Sequence, residues 1–120
     1  MNQTLYIIIK PKYSINSSLF GNIQAGSVRF TSLEPNTDIS IVNTSIISTI
    51  DKIDINIREG NLFLLHGKLI SEQSNLSITA TSISLNNSTL SSSKDMTITL
   101  KYSLLNKENS LIHTKTGSNI

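Results

Sequence analysis

A repeat of about 20 residues runs through the second half of this 120-residue chain. The stretch 75–80, NLSITA, returns twenty residues later as 95–100, DMTITL, with polar and apolar positions in the same order. Upstream, Ile55 and Ile57 stand 21 residues before the apolar pair of the stretch 75–80. A fixed period of this length is typical of solenoids, in which successive repeats stack on one another.

Two further sets of apolar residues recur at a spacing of 21 residues, and we call each such set a column. They are Leu62, Ile83 and Leu104, and Leu69, Leu90 and Leu111. Within each repeat, apolar residues alternate with polar ones, which is the two-residue period of a strand with one buried face. A coil of about 20 residues cannot bury that face alone, but stacked coils form a continuous core. We therefore expect an all-β fold, a right-handed parallel β-helix of about 20–21 residues per coil.

The register of the repeat divides the chain into three segments. It predicts β-helix coils over residues 33–112, a poorly templated N-terminal edge or degraded coil over 1–32, and a frayed tail over 113–120. Both ends of such a stack expose unpaired backbone and apolar columns unless something caps them. We therefore expect an incomplete fragment with open ends, covered by neighbouring coils of a longer parent chain or by self-association.

The abundant small polar residues fit this architecture. Ser, Thr and Asn number 20, 12 and 13. Outward Ser and Thr are compact and compatible with strands, while Asn tolerates left-handed backbone at corners and hydrogen-bonds there. Most of these residues are therefore predicted to be architectural.

Composition and charge argue against several classes of function. The chain has no Cys, and His66 and His113 are its only imidazoles, so we expect no metal site and no cofactor. The net charge of +2 comes without a basic cluster, which argues against nucleic-acid binding. The apolar run Leu5 to Ile9 is far shorter than the roughly 18–20 residues that span a membrane. The start also lacks the pattern of a signal peptide.

The stretches 75–80, 82–92 and 94–99 together resemble the hemagglutinin repeats of filamentous hemagglutinin and contact-dependent-inhibition exoproteins. Those repeats combine a corner, a leucine-polar-isoleucine strand, a second short strand and an asparagine or serine step. The resemblance implies a rod-like segment of a large surface protein exported by a two-partner system. It therefore implies a secreted or bacterial cell-surface location, with host or neighbouring-cell glycans or proteins as further partners.

Parallel β-helices also host polysaccharide lyases and hydrolases, whose sites need converging carboxylates. Asp51 and Asp54, with Arg58 and Glu59 just beyond, are the candidates for a small calcium or sugar site; a solvated corner is the commoner explanation. The spacing of another pair of acids, Glu72 and Asp95, argues against a carboxylate ladder.

A general base is conceivable at His66, which precedes Gly67 in a predicted turn, but an exposed turn histidine is far commoner. We therefore predict no catalytic residues and no enzymatic activity.

The sequence thus predicts a structural or adhesive segment, acting as a rod spacer or as a cell-adhesion surface with exposed aromatics such as Tyr102. A fragment of a polysaccharide-active β-helix protein is the alternative.

Overall fold

The computed structural model describes residues 4–8, 13–16, 23–32, 38–114 and 117–119. Within these ranges the chain forms strands and turns and no helix. The strands are β1 (Thr4–Ile8), β2 (Tyr13–Asn16), β3 (Ile23–Ala25), β4 (Ser27–Ser32), β5 (Ile39–Val42), β6 (Ser45–Ser48), β7 (Ile53–Ile57), β8 (Asn61–Leu65), β9 (Lys68–Ser71), β10 (Leu76–Asn86), β11 (Thr89–Ser92), β12 (Asp95–Glu108), β13 (Leu111–Thr114) and β14 (Gly117–Asn119).

The described strands pair in parallel and stack on three faces. Face 1 holds β1, β4, β7, the first part of β10, the first part of β12, and β14. Face 2 holds β2, β5, β8 and the second parts of β10 and β12. Face 3 holds β3, β6, β9, β11 and β13. The prediction of an all-β parallel β-helix is confirmed, while its right-handed coiling stays a prediction.

The buried columns of face 1 differ in register from the predicted ones. Ile53, not Ile55, pairs with Leu76, and Ile55 pairs with Ile78. The columns are Val28–Ile53–Leu76–Met96 and Phe30–Ile55–Ile78–Ile98. The predicted columns Ile55/Leu76/Met96 and Ile57/Ile78/Ile98 are therefore wrong by two residues at their first members.

The physical reason lies at corner 1, which we define as the turn between face 1 and face 2. Three residues, 58–60, separate β7 from β8, whereas Thr81 alone separates the paired parts of β10 in the next coil. One coil is therefore two residues longer than a strict period of 21 allows. Strand pairing keeps the hydrophobic columns in register, and corner 1 accommodates the two additional residues.

The columns of the other two faces are Ile39–Leu62–Ile83–Leu105 and Ile46–Leu69–Leu90–Ile112. Their middle members agree with the predicted ones. The predicted last members, Leu104 and Leu111, are each wrong by one residue. Leu104 pairs with Ser82, and Leu111 pairs with Thr89 and is 57% exposed.

A buried serine column lies at corner 3, the turn from face 3 back to face 1. Ser48, Ser71 and Ser92 are successive partners there and are essentially inaccessible to solvent. Their hydroxyls donate hydrogen bonds to backbone carbonyls of the corner. Ser48 Oγ, for example, lies 2.6 Å from the backbone carbonyl oxygen of Asp51. The buried hydroxyl therefore stabilises the turn by hydrogen-bonding its backbone.

The core includes β4, which the sequence placed in the N-terminal edge and which lies between β1 and β7, whereas a charged residue follows one apolar column near the C-terminal end of the stack. Residues 27–32, placed by the sequence in the N-terminal edge, form β4, and Val28 and Phe30 are buried in the core. At the other end, the column Ile41–Leu64–Leu85 on face 2 is followed by Lys107, which is exposed. A charge at an inward position of an edge strand discourages further pairing. The proposed boundaries at residues 32 and 112 stay predictions.

Candidate functional site

His66 lies in a structural series at corner 2, the turn between face 2 and face 3. Asn43, His66, Asn87 and Asn109 all have φ near +50°, one in each successive coil. The sequence predicted this role for Asn at corners, because Asn adopts left-handed backbone at little cost. His66 fills the same conformational role and is exposed. The sequence predicted an exposed turn histidine here but not its left-handed backbone.

In three of the four described coils a hydroxyl-bearing residue, Thr44, Ser88 or Ser110, follows the left-handed residue at this corner. Ser88 Oγ accepts a hydrogen bond from the Gly67 N–H at 3.1 Å and donates to the Asn86 carbonyl at 2.8 Å. Ser110 repeats the arrangement one coil later, accepting from the Ser88 N–H. Corner 2 is thus a hydrogen-bonded ladder whose side chains satisfy the backbone of adjacent coils.

The candidate calcium or sugar residues do not come together. Asp51 lies in corner 3, where its carboxylate accepts a hydrogen bond from the Lys52 N–H at 2.8 Å. Asp54 lies on the outer side of β7, 3.6 Å from the guanidinium of Arg29. Arg58 and Glu59 lie in the turn after β7, about 13 Å or more along the chain from Asp54. Among the described residues, no three His, Asp or Glu side chains form a group that could hold a metal ion.

The other two acids occupy different places in corner 3. Glu72 is exposed directly after β9, and Asp95 begins β12. The Asp95 N–H donates to the side-chain oxygen of Asn75 at 3.0 Å. The two carboxylates are therefore attached at non-equivalent positions of successive corners, as their sequence spacing predicted.

Tyr102 lies beside a groove at corner 1. In β12, residues 101–103 stand opposite Thr81 alone, because Ala80 pairs with Leu100 and Ser82 pairs with Leu104. Two additional residues in one strand form a bulge, and bulges redirect side chains. Lys101 and Tyr102 are accordingly exposed, Tyr102 to 67%, and the Lys101 ammonium lies 5.5 Å from the centre of the Tyr102 ring.

This corner 1 groove has a volume of about 510 Å³ and is lined by Asp38, Glu59, Gly60, Asn61, Thr81, Lys101 and Tyr102. Hydrogen bonds between coils hold its floor in place. Thr81 Oγ1 accepts from the Gly60 N–H at 3.0 Å, and the Thr81 N–H donates to the Gly60 carbonyl at 2.8 Å. Asp38 accepts from the Asn61 N–H at 2.9 Å, and Ser82 donates to the Asn61 side chain.

A second open surface lies on the outer side of face 2. Phe63 and Leu65 alternate with buried residues of β8 and are 38% and 41% exposed. Together with Val42 they border a shallow groove of about 770 Å³ whose other margin includes Lys107 and Glu108. This apolar surface interrupts the predicted coat of small polar residues.

Sequence reasoning named Tyr102 as an exposed aromatic but missed the corner 1 groove. The available signal was a difference in spacing. Positions 80 and 82 are two residues apart, whereas their partners at 100 and 104 are four residues apart, so β12 contains two additional residues. Asp38 could not be linked to the groove, since it comes near Glu59 and Tyr102 only when four successive coils stack.

Comparison of the chain with known proteins finds no matching family model, no matching curated protein and no matching solved structure. The resemblance to hemagglutinin repeats therefore stays a prediction. In the described part of the chain, no helix has the length and apolar character needed to cross a membrane.

Proposed function

We propose that this chain is a structural and adhesive β-helical segment of a large filamentous-hemagglutinin-like surface exoprotein. It acts as a rod spacer or as a cell-adhesion surface, in a secreted or bacterial cell-surface location, and it catalyses no reaction. Its partners are neighbouring coils of a longer parent chain or other copies of itself, and cell-surface glycans or proteins.

The stacked architecture is the observation that carries this proposal. The same inward positions are filled by apolar residues in coil after coil, for example in the column Phe30–Ile55–Ile78–Ile98. Each added coil lengthens such a stack by about 4.8 Å without changing its cross-section. A structure that grows in one dimension is suited to holding a distal region away from a surface.

The strand edges support the predicted partners. On face 3, β3 is the outermost strand at the N-terminal end of the described sheet, so one of its backbone edges has no strand beside it among the described residues. An unpaired parallel edge accepts another strand through main-chain hydrogen bonds. Neighbouring coils of a parent chain would supply such strands in register.

Light scattering and far-UV circular dichroism, followed against protein concentration, test the spacer role. We expect β-rich signal together with concentration-dependent assembly, and we expect a tandem fusion of two copies to be longer and more stable than one. A monomer that stays equally stable when fused would contradict the proposal, because coils that stack end to end must stabilise one another.

The spacer and the adhesive surface are separable by mutation. A spacer tolerates substitutions on every outer face while the inward columns remain, whereas an adhesive segment loses cell attachment when one face is changed. Attachment of coated beads to cells, compared for variants of each outer face, distinguishes the two roles.

The position of Asp51 and Asp54 favours the structural proposal over the polysaccharide-active alternative. Asp54 is paired with Arg29, and Asp51 binds the backbone of its own turn. If the alternative held, calcium would raise the thermal stability of the protein, and Asp51→Asn combined with Asp54→Asn would abolish that effect. We expect no calcium-dependent stabilisation.

A further inference from the structure

The corner 1 groove differs from the rest of the described surface in its chemistry. Most outward positions carry Ser, Thr or Asn, but the groove brings together an exposed aromatic ring, two carboxylates and an ammonium group. These come from Tyr102, Asp38, Glu59 and Lys101. They are contributed by three different coils, so the groove exists only in the folded stack.

The groove is preorganised by its backbone. The reciprocal hydrogen bonds between Gly60 and Thr81, and the bond from the Asn61 N–H to Asp38, fix the floor and one wall. The bulge in β12 fixes the other wall, since paired strand residues precede and follow it. Sites held by such secondary contacts lose little entropy when a ligand binds.

We propose that the corner 1 groove binds an oligosaccharide that carries no acidic groups. The face of Tyr102 that Lys101 leaves uncovered offers an apolar surface on which the C–H face of a sugar ring can pack. The carboxylates of Glu59 and Asp38 accept hydrogen bonds from sugar hydroxyls, because an ionised carboxylate is an acceptor only. The groove volume of about 510 Å³ lies within the range of small-ligand sites, about 300–1,000 Å³.

Charge decides which saccharides are favoured. Two carboxylates and one ammonium group leave the groove with one formal negative charge at neutral pH. An acidic sugar would be repelled by Glu59 and Asp38, whereas a neutral sugar is not. The inference rests on the adhesive part of the proposed function, and it names the ligand class and the residues that would recognise it.

The test is binding of defined tetrasaccharides to the intact chain, followed by NMR chemical-shift perturbation. The probes are neutral glucan, mannan, galactan and N-acetylglucosamine tetramers, with tetragalacturonate as the acidic counterpart. We expect at least one neutral probe to bind with a Kd of about 1 mM or tighter and to shift residues 59–61 and 101–102. We expect tetragalacturonate to bind at least about tenfold more weakly than that probe.

Variants with matched controls assign the binding to the groove. Tyr102→Ala should weaken it about tenfold, and Tyr102→Phe should retain it because the ring remains. Glu59→Gln should weaken it less, by about threefold. Phe63→Ala and Glu72→Gln remove an exposed ring and an exposed acid elsewhere, so these two controls should leave binding unchanged.

Three results would overturn the inference: no binding of any neutral probe, tighter binding of tetragalacturonate, or unchanged binding in Tyr102→Ala. Since Tyr102 is 67% exposed, its replacement should leave the fold intact, and far-UV circular dichroism checks this. Because Tyr102 lies in an exposed corner and not in an inward column, its replacement should leave coil assembly unchanged. A chain that assembles but binds no neutral saccharide would therefore overturn this inference and leave the spacer function standing.

Discussion

The two buried hydroxyls of Ser48 and Ser32 give a sharp test of how the corners are stabilised. Ser48 is fully buried, and its Oγ lies 2.6 Å from the Asp51 carbonyl oxygen and 2.9 Å from that of Gly26. Ser32 is equally buried, but its Oγ has no hydrogen-bond partner among the described residues. Replacing Ser48 by Ala removes a hydroxyl that makes hydrogen bonds. Replacing Ser32 by Ala removes an equally buried hydroxyl that makes none with the described residues.

The expected magnitudes follow from those contacts. Ser48→Ala loses a buried hydrogen bond and, among the described residues, leaves the Asp51 carbonyl with the long 3.4 Å contact from Ser71, which should cost about 1–2 kcal/mol. Ser32→Ala removes a buried polar group that has no hydrogen-bond partner among the described residues, so it should leave stability unchanged or raise it by about 1 kcal/mol. The two variants should therefore differ by about 2 kcal/mol in free energy of unfolding.

Urea unfolding followed by far-UV circular dichroism measures this difference, at a concentration where the chain is monomeric. The midpoints of the two variants should differ by on the order of 1 M urea. Ser77→Ala, on the outer side of face 1, is the control and should change stability by less than about 0.5 kcal/mol. Equal destabilisation by Ser48→Ala and Ser32→Ala would refute the reasoning, because the hydrogen bond would then contribute nothing.

Four further outcomes are expected. Ile55→Ala should cost about 2–5 kcal/mol in urea unfolding, and its outward neighbour Asn56→Ala less than about 0.5 kcal/mol. His66→Val should cost about 1–2 kcal/mol, because a β-branched residue resists φ near +52°, whereas His66→Asn should preserve stability. Lys107→Leu, which extends an inward apolar column, should promote assembly in light scattering; unchanged scattering would argue against its role as an edge charge. Asp54→Asn should cost less than about 1 kcal/mol at low salt and nothing measurable at high salt.

The sequence predicted the architecture because strand alternation and a long period are both properties of the hydrophobic pattern. The pairs Leu76/Met96 and Ile78/Ile98 were aligned correctly, because corner 1 of the coil between them consists of Thr81 alone. The alignment failed for Ile55, where corner 1 has three residues instead of one. A period fitted to several coils averages over such corners, whereas parallel pairing fixes the register locally.

The corner 1 groove was beyond sequence reasoning for a related reason. A bulge is defined only by comparison with the neighbouring strand, and that comparison requires the register to be known. Lys101 and Tyr102 looked like ordinary outward residues until the pairing of Ala80 with Leu100 and of Ser82 with Leu104 placed them opposite Thr81. The serine column of corner 3 was missed because Ser was interpreted as an outward residue.

Disulfide cross-linking between coils tests the stacked register, on which both proposals depend, most directly. In the structure Asn56 pairs with Thr79, so their Cα atoms lie about 4.8 Å apart, within the range of about 4.4–6.8 Å that a disulfide requires. A uniform period of 21 residues would instead pair Asn56 with Ser77, whose Cα is roughly 8 Å away in the observed register.

The chain has no natural Cys, so each engineered pair reports on one distance. Asn56→Cys with Thr79→Cys should form an intramolecular disulfide under mild oxidation, detected by mass spectrometry and loss of free thiols. Asn56→Cys with Ser77→Cys should remain largely reduced. Preferential oxidation of the Ser77 pair, or of neither pair, would contradict the stacked register described here.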